Sequence, residues 1–128
     1  MLRRSTLLVA FAGLLGAAGV ADAAIAAHVA GGATLERAAE ILMVHGAALL
    51  GLASLVARAG ERWTIALAAA AMGVGAALFG LDVTLLTLQG HRLFPNAAPI
   101  GGSTMIASWL IVGLLALAGH LEPPRDDA

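Results

Sequence analysis

Four long stretches of this chain carry no formal charge, and they constrain the fold more than any other feature. Residues 5–21, 41–57, 63–81 and 93–121 contain no Asp, Glu, Arg or Lys. About 20 mostly apolar residues, within a usual range of about 17–25, suffice to cross the hydrocarbon core of a bilayer. A chain of 128 residues divided in this way has room for little beyond four spanning segments. Lipid offers no hydrogen bonds to the backbone, so only helices and closed barrels can span it. The alternation with period two that marks barrel strands is absent. The expected fold is therefore all-α, an integral membrane four-helix bundle. The expected spans are about 7–28, 39–57, 63–88 and 102–119, in a single membrane domain over residues 1–128 with a polar tail at 120–128.

Composition agrees with a lipid environment. Hydrophobic residues make up 60% of the chain and charged residues 12%, about half the charged share of a soluble domain. So short a chain cannot bury that much apolar side chain in a core of its own. The bilayer is the first partner the sequence implies. The net charge of −1 gives nucleic acid nothing to bind. The chain has no Cys, which excludes disulfides, iron–sulfur clusters and thiolate metal sites. Ala and Gly are abundant and aromatics few, a balance that favours close helix packing.

The first run also has the look of a secretory signal. Arg3 and Arg4 precede an apolar stretch from Thr6 to Val20, and Ala21-Asp22-Ala23 fits a small-x-small cleavage site. The apolar pattern nevertheless continues through Ile25-Ala26-Ala27, which favours a retained first span. With four spans and the N-terminus inside, Arg3, Arg4, Arg58, Arg62 and Arg125 lie on the inner side. Only Arg37 and Arg92 then lie outside. This asymmetry places both termini in the cytoplasm.

Helix boundaries and packing ridges can also be read from the residues. Gly31-Gly32 should break the first span, and Thr34 is the natural N-cap for the second. Trp63 stands at a boundary, where indoles collect. Pro99 with Gly101-Gly102 predicts a bent approach to the fourth span. Small residues recur at every fourth position in Gly13-Ala17-Ala21 and in Ala69-Gly73-Ala77. Such ridges let helix backbones approach closely.

Four stretches carry a family likeness. They are Ala23-Ala24-Ile25-Ala26-Ala27-His28, Val44-His45-Gly46-Ala47-Ala48-Leu49, Leu78-Phe79-Gly80 with Leu85-Leu86, and Ala98-Pro99-Ile100-Gly101-Gly102 followed by Trp109. In this order the chain resembles the YgdD-like family of small bacterial inner-membrane proteins, a domain-of-unknown-function family. It is also similar to small four-span eukaryotic membrane proteins. The resemblance implies four helices, an intact first span and a multi-pass place in the bacterial cell inner membrane. It supplies no catalytic residues.

Asp22, His28, His45 and Asp82 are the ionisable residues within or beside the spans. Asp22 lies about 22 Å beyond Leu7, Asp82 about 28 Å beyond Trp63, and His45 about 9 Å into the second span. All four are thus expected in one layer near the outer face, as a polar cluster in which a histidine pairs with an aspartate. An ionisable group inside the bilayer costs about 2.5–3.5 kcal/mol, so it turns toward the bundle interior or water. The cluster would relay protons, hold a cation or tie the helices together; the plainer alternative is solvation at the headgroups. No pair among the four has the spacing that sets two ligands on one helical face, so no metal and no cofactor are expected. Trp109 lies too deep for an interfacial belt, and its indole N–H needs an acceptor. No nucleophile–base pair, phosphate loop or zinc-protease motif occurs, so no enzymatic activity is expected. The expected role is that of a structural or accessory membrane component, in a larger membrane complex or a homo-oligomer. The alternative is a small proton- or cation-handling transporter built on the Asp/His layer.

Overall fold

The computed structural model describes residues 1–124. It contains helices α1 (Arg4–His28), α2 (Gly32–Arg58), α3 (Trp63–Gln89) and α4 (Ala97–Leu117). No strand occurs among the described residues. All four helices are long and apolar enough to cross a membrane. Successive helices run antiparallel, so the α1–α2 turn and the α3–α4 loop share one end of the bundle. The α2–α3 turn lies at the other end, where α1 begins and α4 finishes. These are called the loop end and the terminal end below.

The α2–α3 turn shows how local chemistry stops a helix that its apolar pattern would prolong. Gly60 takes a left-handed φ of 71°, which costs a residue without Cβ nothing. The Gly60 N–H then reaches the Ala57 carbonyl and the Glu61 N–H reaches the Val56 carbonyl, at 3.3 and 2.8 Å. This is the paired Schellman pattern, and it satisfies carbonyls that the helix end would leave bare. Gly119 closes α4 in the same way, with Gly119 N–H on Ala116 and His120 N–H on Leu115.

Glu61 then serves a second helix. Its carboxylate accepts the backbone N–H and the hydroxyl of Ser5, in the first turn of α1. The Arg4 guanidinium donates to its carbonyl at 2.6 Å. The Ser5 side-chain and backbone bonds hold the Glu61 carboxyl below the usual carboxylate range. Arg62 donates to the His120 carbonyl, which ties the start of α3 to the end of α4.

Helix α3 is the centre of the bundle. It contacts α1, α2 and α4, whereas α1 and α4 share no backbone packing. Half of its most apolar window is buried, against 17% for α4. The core runs through Leu8, Leu15, Leu49, Val56, Ile65 and Met72. Glycines set the closest approaches. A Cβ at Gly46 of α2 would stand 3.1 Å from the Ala12 carbonyl of α1. One at Gly101 of α4 would stand 2.6 Å from the Gly75 carbonyl of α3. Lipid supplies no hydrophobic drive to bring helices together, so such backbone contacts and their dispersion gain carry the association.

Three expectations are corrected. Helix α2 begins at Gly32 and contains the expected span 39–57 after an interfacial start, but Thr34 lies inside the helix and does not cap it. The start is free to move outward because Glu36, Arg37 and Glu40 tolerate a helix that projects toward the headgroups. Gly101 and Gly102 are helical and make no bend, because α4 already begins at Ala97, with Pro99 in its first turn. There the missing N–H of proline costs nothing, since the first turn has no intrahelical acceptors to meet. Of the two small-residue ridges, Ala69-Gly73-Ala77 packs inward, with Gly73 against Phe11 and Leu49. Gly13, Ala17 and Ala21 face outward, and Ala12, Gly16 and Gly19 make the contact with α2 instead. The expected polar tail extends beyond Pro124, and residues 125–128 lie outside the described residues.

Candidate functional site

The ionisable residues of the spans do not form one cluster. The structure places them in three separate contacts, with His28 apart from all of them. His28 ends α1 on an exposed surface at the loop end.

Asp82 is fully buried. It lies about 10 Å short of the end of α3, and the α3–α4 loop folds back over it. Its Oδ2 accepts from Arg92 Nη1 at 2.9 Å, and its Oδ1 accepts the Leu93 N–H at 2.9 Å. The arginine side chain is 48% exposed. One carboxylate thus holds the loop through a charge and a backbone group together. A cavity of about 960 Å³ lies beside this clamp, bordered by Phe79, Leu86, Arg92, Asn96 and Pro99.

Asp22 lies at the same depth, about 9 Å short of the end of α1. It is 7% exposed. The Thr84 hydroxyl of α3 lies 2.7 Å from Asp22 Oδ2 and 2.7 Å from the Gly80 carbonyl. This contact crosses between α1 and α3, which run parallel. Asp22 also lines a groove of about 430 Å³ between these helices.

His45 lies about 20 Å from the start of α2, whose first turns precede the expected span. Leu42 packs on Gly80, and His45 lies about one turn further toward the terminal end, so it is not at the level of the two aspartates. Its Nδ1–H donates to the Ile41 carbonyl at 2.8 Å. A carbonyl only accepts, so Nε2 is left as the acceptor. The Trp109 Nε1–H of α4 fills that role at 3.3 Å, with the rings edge to face at 6.2 Å. Both imidazole nitrogens are thereby engaged. Trp109 finds its acceptor in a side chain of α2, a helix with which α4 shares no backbone packing.

Two partners in these contacts escape a reading of the sequence. Thr84 is a hydroxyl in an apolar run, and its spacing of four from Gly80 suggests only a bond within its own helix. Arg92 carries the single cationic side chain of its loop. A lone cation ten positions beyond a buried acid is the signal that could have paired them. Pro99, Gly101 and Gly102 take structural places in α4, with Gly101 at the closest approach to α3. Among the described residues no three His or acidic side chains come together as a metal-binding group.

Chemically, the three contacts join α1 to α3, α2 to α4, and α3 to its following loop. Each pairs a buried acceptor with a donor from elsewhere in the chain, the arrangement that lowers the cost of polar groups within a bilayer. No curated protein and no solved structure shows a significant match to this chain. The family comparison does: residues 12–102 match DUF423, described as a protein of unknown function. The match begins in α1, takes in Asp22, His45, Asp82 and Arg92, and ends in the first turns of α4, so by its sequence and its four apolar helices this chain belongs to the DUF423 family of proteins of unknown function.

Proposed function

We propose that this multi-pass membrane protein is a non-enzymatic structural or accessory component of the bacterial inner membrane. Its termini lie in the cytoplasm, and it packs against a larger membrane complex or against its own copies. One observation carries the reading: each ionisable side chain buried in the bundle makes a contact within the chain. Asp82 meets Arg92 and Leu93, Asp22 meets Thr84, and His45 meets Trp109. A conduction path needs groups that exchange partners, and these groups hold elements in place. The lipid-side surface is available for association, since Ile106, Leu110 and Leu114 of α4 point outward. Small-residue faces elsewhere on the bundle would suit helix partners.

Extraction in a mild detergent after crosslinking tests this reading. The expected product is a stoichiometric complex with a larger membrane protein or a homo-oligomer of fixed size. Recovery of a lone monomer at every crosslinker concentration overturns it. The transporter reading has one observation in its favour, the shared depth of Asp22 and Asp82. It requires that Asp22→Asn with Asp82→Asn abolish a proton or cation flux in liposomes.

A further inference from the structure

The groove between α1 and α3 is built differently from the other outward surfaces of the bundle. Its walls mix Leu14, Leu15 and Ala18 of α1 with Ala77, Gly80 and Leu81 of α3. Its floor is Leu42 of α2, packed so tightly that a Cβ at Gly80 would stand 2.6 Å from it. The trough runs from Phe11 to Asp22, roughly 16 Å along α1. It is wholly apolar until its loop end, where Asp22 and Thr84 close it.

Asp22 is more than nine-tenths buried, at 7% exposure. Only one of its oxygens is used: Oδ2 meets the Thr84 hydroxyl. Oδ1 makes no hydrogen bond among the described residues and is not one of their enclosed, unpartnered atoms. It therefore remains accessible at the polar end of the groove. A carboxylate oxygen at this depth is costly without a donor. The chain supplies its neutral donor, Thr84, to the other oxygen. A cationic N–H donor would also balance the carboxylate charge, which a neutral hydroxyl cannot do.

We propose that this groove binds a lipophilic amine, a single apolar chain ending in an ammonium group. The ammonium sits on Asp22 Oδ1, and the chain lies in the trough against Leu42 with its end near Phe11. The groove volume of about 430 Å³ suits a single alkyl chain, and the carboxylate gives the direction. The site goes beyond the accessory role and does not depend on it.

Photolabelling of the full chain in nanodiscs with a dodecylamine carrying a terminal diazirine tests the proposal. Label is expected on Phe11, Leu14 or Leu15, and unlabelled dodecylamine should compete for it. Dodecanol and dodecane at equal concentration should not. Asp22→Asn keeps an oxygen for Thr84 while removing the charge. Ala18→Leu keeps Asp22 while filling the trough. Each variant should lower labelling at these positions about tenfold, the loss of one charge-assisted bond or of its access. Labelling unchanged in either variant overturns the site. So does labelling that is no greater there than on Leu110 and Leu114 of α4. Equal competition by dodecanol overturns the ammonium assignment.

Discussion

Asp82 fixes the loop that leads from α3 to α4. Fully buried, it accepts both a guanidinium N–H and a backbone N–H from the loop that follows α3. Removal of its carboxylate leaves the Leu93 N–H without an acceptor and releases the loop. Because Arg92 is half-exposed, the charge pair itself is screened. Asp82→Ala should therefore cost about 2 kcal/mol, most of it from the orphaned backbone donor. Asp82→Asn retains an acceptor for Leu93 and should cost about half as much. Thermal unfolding in detergent micelles, with both variants beside the parent, checks the ordering. The sequence marks Asp82, Asp22 and His45 as residues that cannot face lipid, and that much is legible from the cost of a polar group there. Their partners are not legible, since Thr84, Arg92 and Trp109 come from other helices, other loops or the far side of a turn.

At the scale of the helix, contact depends on which glycines face a neighbour. Gly101→Ala places a Cβ 2.6 Å from the Gly75 carbonyl, on backbone that cannot swing aside. Separation of α3 from α4 should cost about 2 kcal/mol or more. Gly13→Ala meets nothing within 4 Å and should be neutral or slightly stabilising. The same unfolding assay distinguishes them. The cap on α1 predicts a pH dependence. Glu61 has its pKa lowered in the folded chain, chiefly by the Ser5 hydroxyl. A lowered folded-state pKa means that the contribution is complete above the unfolded value and is lost as pH falls through the folded value. The stability difference between the parent and Glu61→Gln should shrink as the medium is acidified below the carboxylate range. A difference that stays constant with pH would show that the charge on Glu61 is not what caps α1. Of the helix ends, the glycine stops after α2 and α4 follow from local backbone chemistry. The start of α2 differs by about one turn, because Gly31 in a left-handed conformation, and not the Thr34 hydroxyl, precedes its first turn.

For the whole molecule, direction in the membrane has a direct test. Arg3, Arg4, Arg58 and Arg62 gather at the terminal end, and Arg37 and Arg92 toward the loop end. Under the positive-inside rule the terminal end faces the cytoplasm. The chain has no Cys, so single cysteines report without background. His91→Cys should react with an impermeant maleimide in intact cells, and Arg58→Cys only after permeabilisation. The reverse pattern would invert the bundle. Direction affects function as well, because it sets which leaflet meets the Asp22 groove and the Asp82 clamp.

The sequence by itself determined the number of spans, the helical class and the lipid environment. These rest on run length measured against bilayer thickness, a property of the chain in one dimension. Tertiary structure alone decided which face each helix turns inward. Helices α1, α3 and α4 are apolar nearly all round, so no polar stripe marks an outer side. Rotation was settled instead by steric fit, with Gly46 against Ala12, Gly75 against Gly101, and Gly80 over Leu42. That rotation sent Asp22 to Thr84, His45 to Trp109 and Asp82 to Arg92, and it divided one expected polar layer into three separate joints.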